Sequence, residues 1–277
     1  MGLKKRIKKL VYSFKSPKLI PIIEQKQSDR VLEGKTALIT GGTGGIGIEI
    51  AKKILELGAF VIIAGTNEEK LNNSLKLLDN DKSNGIILNM LDVSSFEEFL
   101  VRTVSLSPSK KIDILVNCAG VITNESFFDT KEETFDRIMD INVKGTFFLS
   151  KFVAKHMIDN KIKGHILNVS SSSALRPAWS PYHISKWAID GFTKGLADIL
   201  ISYGIVVNAI APGPTATKML NKQDGDSIYN STNPSGRYST PSEVASLAAF
   251  MVSPMGDMIV GDTFYITGGS GTISLHR

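Results

Sequence analysis

Apolar residues along the chain follow two alternating periods. Short β-branched and aliphatic runs without polar alternation occur at residues 36–40, 60–64, 85–90, 112–117, 165–169, 205–210 and 262–267. They read as strands buried on both faces. Between them, apolar positions recur at helical spacing over residues 46–57, 68–78, 95–105, 131–159, 182–203 and 241–252. Strands alternating with helices imply right-handed crossovers and a parallel sheet covered on both sides. Seven such strands predict a single α/β domain with a doubly wound sheet. Ligands of that architecture bind beyond the carboxyl ends of the strands.

Residues just after the strands carry the candidate chemistry. The first strand runs into Thr40-Gly41-Gly42-Thr43-Gly44-Gly45-Ile46-Gly47 and then into a helix. Glycines there permit a tight turn and a close approach of backbone N–H groups to a dinucleotide pyrophosphate. The helix N-terminus adds unpaired donors and partial positive charge. This strand, bend and helix together predict a Rossmann fold.

Composition narrows the reading. The chain has 277 residues, 42% of them apolar and 21% charged, as in an ordinary globular protein. One cysteine, Cys118, excludes an internal disulfide and suits the reducing cytoplasm. The four histidines lack partners at ligand spacing, so no metal site is expected. The net charge of +5 is uneven: seven basic residues from Lys4 to Lys18 precede the first acid, leaving 25 basic against 27 acidic. The body is near neutral, and nucleic acid is not an expected partner. No apolar run reaches the roughly 20 residues of a membrane span, and the N-terminus does not read as a secretory signal.

Residues 1–33 read as a basic arm, with the core domain at 34–277. Leu3, Ile7, Leu10, Val11 and Phe14 recur at helical spacing among lysines. Residues 3–18 therefore predict an amphipathic helix with weak peripheral membrane contact, the alternatives being a disordered solubilising tail or docking to an acidic partner. Arg6 occupies the Ser/Thr position that N-myristoylation requires. Residues 218–240 are polar and aperiodic, which predicts a substrate lid.

Tyr182 and Lys186 are one helical turn apart and share a face. An ammonium beside a phenol favours its ionised form and suits proton exchange with a substrate. With Thr40–Gly47, Asp92-Val93, Asn117-Cys118-Ala119-Gly120, Asn142, Ser170-Ser171, Tyr182–Lys186 and Pro212-Gly213 in this order, residues 32–269 resemble the short-chain dehydrogenase/reductase family. The resemblance implies an NAD(P)-dependent oxidoreductase acting on an alcohol or carbonyl compound. It implies that Ser171 hydrogen-bonds the substrate oxygen and Tyr182 exchanges its proton. Lys186 would hold the nicotinamide ribose, and Asn142 would anchor a water relay. Cofactor contacts are implied for Gly41, Thr43, Gly44, Gly45, Ile46, Gly47, Asp92, Val93, Asn117, Ala119, Gly120, Tyr182, Lys186, Pro212, Gly213, Thr215 and Thr217. Thr66 and Asn67 follow the second strand, where NAD selection would place an acid. Their small polar side chains favour NADP over NAD.

Each residue has a plainer role open to it. Ten residues separate Ser171 from Tyr182, about two fewer than the family pattern, so Ser170 or Ser172 remains a candidate. Asp92 could equally cap the following helix. Cys118 stands where the family usually has Asn, and reads as a small packing residue. Competing functions are a catalytically silent NAD(P)-binding sensor and a dehydratase or epimerase with transient cofactor redox. A 3-oxoacyl carrier-protein reductase would need a basic surface near the lid, with Arg176, Lys218, Lys222 and Arg237 as candidates. Family members often pair the helices at 131–159 and 182–203 between subunits, which implies a dimer or tetramer.

Overall fold

The computed structural model describes residues 29–220, 222 and 226–274. Seven strands form one parallel sheet: β1 (Thr36–Thr40), β2 (Phe60–Gly65), β3 (Ser83–Ile87), β4 (Ile114–Asn117), β5 (His165–Val169), β6 (Val206–Pro212) and β7 (Thr263–Ile266). Their order is β3-β2-β1-β4-β5-β6-β7, which reverses direction at β1 and β4. Ala37 pairs with Val61 on one side and Ile114 on the other. The helices are α1 (Gly45–Glu56), α2 (Glu68–Leu78), α3 (Phe96–Leu106), α4 (Glu132–Met139), α5 (Thr146–Asp159), α6 (Pro181–Leu200) and α7 (Pro241–Met251).

Successive strand residues feed opposite layers. Ile39, Ile63, Val116 and Leu167 pack with Ile50 and Ile54 of α1 and Val244 and Ala248 of α7. Their neighbours Leu38, Ile62, Leu115 and Ile166 pack with Phe96 and Phe99 of α3, Leu149 and Val153 of α5, and Leu200 of α6. Burial on both faces is why these strands lack polar alternation. Each such side chain contributes about 1.5–3 kcal/mol.

Three departures from the expected elements matter. First, β3 begins two residues early and ends at Ile87. Leu88 and Met90 are buried beyond the ladder, so their apolarity reports packing rather than pairing. Second, the single helix expected over residues 131–159 is two helices joined by a π turn at Asp140–Gly145. The cause is Asn142, whose side chain bonds other elements, and Gly145, where a Cβ would lie 2.7 Å from Met90 O. Third, Leu32, grouped with the arm, is buried against the α1 layer, and its N–H donates to Leu57 O at 2.9 Å. Residues 3–18 lie outside the described residues. No helix among the described residues is long and apolar enough to cross a membrane.

Candidate active site

The β1–α1 bend lies where the strand order reverses. Gly41 takes φ +63°, and a Cβ there would lie 2.8 Å from Ala119 Cα. A Cβ at Gly42 would meet Ile63, and one at Gly47 would clash with Gly41 O. The bend therefore needs glycine to rest on β2, cross the β4 loop and turn into α1. Gly44 caps α1 without a side-chain bond. The N–H groups of Gly45, Ile46 and Gly47 have no partner among the described residues. An open backbone surface with free donors at a helix start fits a dinucleotide pyrophosphate. Thr217 closes over this cradle, its Cγ2 lying 3.0 Å from where a Gly45 Cβ would be.

Thr40 ties the bend to the next strand: its hydroxyl accepts from the N–H groups of Cys118 and Ala119, each at 3.1 Å. Asn117 braces the end of β4, donating to Asn168 Oδ1 and Ser150 Oγ, each at 2.9 Å. Asn168 donates in turn to Thr193 Oγ1 of α6 at 2.9 Å. This buried amide chain joins β4 and β5 to the helix that carries Tyr182. Cys118 is partly exposed, but desolvation raises its thiol pKa to about 11 despite the opposing pull of Lys186. It is a poor nucleophile.

Ser180 and Pro181 explain where α6 starts. The Ser180 hydroxyl accepts from His183 N, and Pro181 occupies the first turn. Tyr182 is half-buried, and Lys186 is buried one turn on. Lys186 Nζ donates to Val169 O at 2.9 Å and lies 5.6 Å from the Tyr182 ring centre. Asn142 fills the space behind. Its Nδ2 donates to Val121 O at 2.9 Å and Ser185 Oγ at 3.0 Å, and its Oδ1 accepts from Val121 N at 2.9 Å. A Cβ on Gly120 would lie 3.4 Å from Asn142 Oδ1 and 3.7 Å from Lys186 Nζ. The structure thus gathers Gly120, Asn142 and Lys186.

The serines after β5 separate by environment. The Ser170 hydroxyl donates to Lys186 O at 3.3 Å, inside the fold. Ser171 Oγ accepts from Ser173 N at 3.1 Å and contacts Ser173 Oγ at 3.2 Å. Ser170, Ser171 and Ser172 all line the cleft.

That cleft has a volume of about 1140 Å³ and takes in Gly41, Thr43–Gly47, Ala119, Gly120, Ser171, Tyr182, Lys186, Pro212, Gly213, Thr215 and Thr217. Thr66, Asn67, Asp92, Val93, Asn117 and Asn142 are not among its lining residues. Asn67 caps α2, its Oδ1 accepting from Lys70 N at 2.8 Å. The Asp92 side chain accepts from Ser94 Oγ at 2.5 Å and makes no helix-capping bond.

Sequence reasoning missed Lys70 and His183, which both line the cleft. Lys70 could have been found as the cation in the first turn after β2, and His183 as the neighbour of Tyr182. Part of the 218–240 segment is ordered by pairing. Tyr229 bridges Arg237, and Asn233 Nδ2 donates to Thr267 O at 3.2 Å. No group of three metal-binding side chains occurs among the described residues.

The family profile described as short chain dehydrogenase matches residues 35–227. The chain is 37% identical over 243 residues to the 3-oxoacyl-[acyl-carrier-protein] reductase FabG of Rickettsia bellii, covering 86% of this chain and 97% of the relative. It is 36% identical to the Vibrio cholerae reductase of the same name, covering 86% and 98%. Among solved structures, a variant of actinorhodin polyketide ketoreductase with NADPH superposes with a TM-score of 0.79 at 29% identity, covering 86% and 98%. A short chain dehydrogenase from Burkholderia cenocepacia in complex with NADP gives 0.77 at 31% identity, covering 86% and 98%.

Proposed function

The chain belongs to the short chain dehydrogenase family and is an NAD(P)-dependent oxidoreductase, and we propose that it reduces the ketone of a 3-oxoacyl thioester with NADPH. The observation that carries the catalytic reading is Lys186, anchored on Val169 O at 2.9 Å beside the Tyr182 ring in the same cleft as Ser171.

The cofactor contacts fall to the 41–47 bend, Ala119, Gly120, Lys186, Pro212, Gly213, Thr215 and Thr217, with Asn117 bracing β4, while Asp92 and Val93 stand outside the cleft. Bound there, the cofactor supplies the hydride for the carbonyl carbon. Ser171 donates a hydrogen bond to the carbonyl oxygen as negative charge grows on it. Tyr182 delivers a proton to that oxygen, so ketone, hydride and proton give a secondary alcohol without a free alkoxide. Lys186 supplies positive charge beside the phenol and holds the ribose. Asn142 positions the Val121 backbone and the Ser185 hydroxyl around Lys186, and anchors a water relay to it. NADP is favoured because Thr66 and Asn67 leave no carboxylate to repel a 2′-phosphate, and Lys70 stands one turn further on.

The substrate class is supported by the two FabG relatives. Following NADPH absorbance with 3-oxoacyl thioesters, simple ketones and aldehydes tests it. Turnover confined to simple carbonyls would overturn the thioester assignment. Homo-oligomerisation through α5 and α6 is supported by the exposed side chains of Phe147, Trp187 and Ile199, and light scattering at the monomer mass would refute it. We further place the protein in the cytoplasm, with residues 3–18 giving weak contact to anionic membranes. Equal vesicle binding by intact and arm-deleted protein would exclude that contact.

A further inference from the structure

The described residues lining the cleft include no Asp or Glu, yet they include Lys70, Lys186, Arg176 and Lys218. Lys70 and Lys186 belong to the cofactor half. The other two were among four cations near the lid, and the structure separates those four. Arg237 is neutralised by Glu243, with N–O distances of 2.6 and 2.8 Å. Lys222 donates to Ser227 O and lies over the Tyr238 ring. Arg176 and Lys218 have no acidic partner among the described residues.

Arg176 is the better placed of the two. Its Nη2 donates to Ser270 Oγ of the C-terminal turn at 2.8 Å, and Trp187 Nε1 donates to its carbonyl at 2.9 Å. The guanidinium is thus tethered while most of its donors stay free. The 3₁₀ turn Ser172–Leu175 separates it from Ser171. At roughly 2 Å of rise per residue, the two backbones lie about 10 Å apart, a distance a substrate can span. His183 stands on the same wall. Ser180 Oγ accepts its backbone N–H at 3.4 Å and is hydrogen-bonded to its Nδ1 at 2.7 Å. Burial lowers the His183 pKa, and the neighbouring Arg176 charge lowers it further.

We propose that the carbonyl substrate carries an anionic oxygen group, carboxylate or phosphate, bound by the Arg176 guanidinium beside the His183 ring. This rests on the reductase reading and adds the charge of its substrate. An exposed guanidinium with a charge-assisted pair is expected to discriminate by about tenfold.

The test uses the full chain loaded with NADP⁺, so binding is read without turnover. Pentanoate is compared with pentanamide, and 4′-phosphopantetheine with pantetheine. Binding is followed by calorimetry and by emission of Trp179 and Trp187, the chain's two tryptophans. The proposal expects the anion of at least one pair to bind about tenfold more tightly, and the pair identifies carboxylate or phosphate as the source. Arg176→Gln should cut that preference below about twofold, and Arg176→Lys should restore part of it. Equal binding within both pairs, or a preference surviving Arg176→Gln, overturns it. Failure of the reductase reading appears separately, as absent NADPH turnover by the unaltered protein.

Discussion

Replacing Asn142 by alanine probes the joint between scaffold and site. The residue is 2% exposed and makes three bonds, two to the Val121 backbone and one to Ser185. Ser185 keeps its bond to Tyr182 O at 2.7 Å. Val121 N–H and C=O lose their partners in a part-buried place. Each orphaned group costs about 1–3 kcal/mol, less where water enters, so a loss of about 2–4 kcal/mol is expected. That is a large share of the roughly 5–15 kcal/mol holding a domain together. Equilibrium urea unfolding by circular dichroism should show the midpoint falling at unchanged slope. Because Asn142 and Lys186 flank Gly120, kcat should fall at least about tenfold while NADPH affinity changes little. A stability loss under about 0.5 kcal/mol together with unaltered kcat would refute this role for Asn142.

Gly47→Ala places a Cβ against Gly41 O and 2.9 Å from Gly42 Cα, both unyielding backbone. It should weaken NADPH binding at least about a hundredfold by fluorescence titration, and an unchanged Kd would contradict the cradle. Glu243 is held down at about 2 by the Arg237 side chain first and the Thr240 backbone second. Its stabilisation is complete above the ordinary carboxylate value and is lost as pH falls through 2. Glu243→Gln should remove that acid-dependent part, at most about 1 kcal/mol for so exposed a pair, and identical acid unfolding curves would refute it. With its thiol near 11, Cys118 should react with a thiol reagent at pH 8 about a hundredfold more slowly than a free cysteine. A free-thiol rate would show that the desolvation is wrong.

Most of the fold was legible because the central strands are buried on both faces, so apolar runs and pairing coincide. At the edge they part: Leu88 and Met90 are buried beyond the β3 ladder and drew the predicted strand past its end. The glycine bend was legible because only glycine satisfies its contacts with Ala119, Ile63 and Gly41. The break at residues 140–145 was hidden, since apolar periodicity continues through it. Its cause is long-range, in Val121, Ser185 and Met90. The order within residues 218–240 was hidden for the same reason. Asn233 and Ser235 are fixed by bonds to Thr267 and Gly268 rather than by a local period. The placement of Arg176 beside His183 needed the structure, because ion pairing removed Arg237 and left Arg176 tethered without an acid.

The central claim is that Tyr182 transfers the proton in a cleft that Lys186 and the glycine bend organise. Tyr182→Phe removes one oxygen and leaves the ring beside Lys186. Single-turnover oxidation of bound NADPH by the best carbonyl substrate, measured alongside NADPH affinity, tests it most directly. The account predicts affinity within about threefold of the unaltered protein and a hydride-transfer rate lower by at least about 10³. Transfer within about tenfold of the unaltered rate would contradict it.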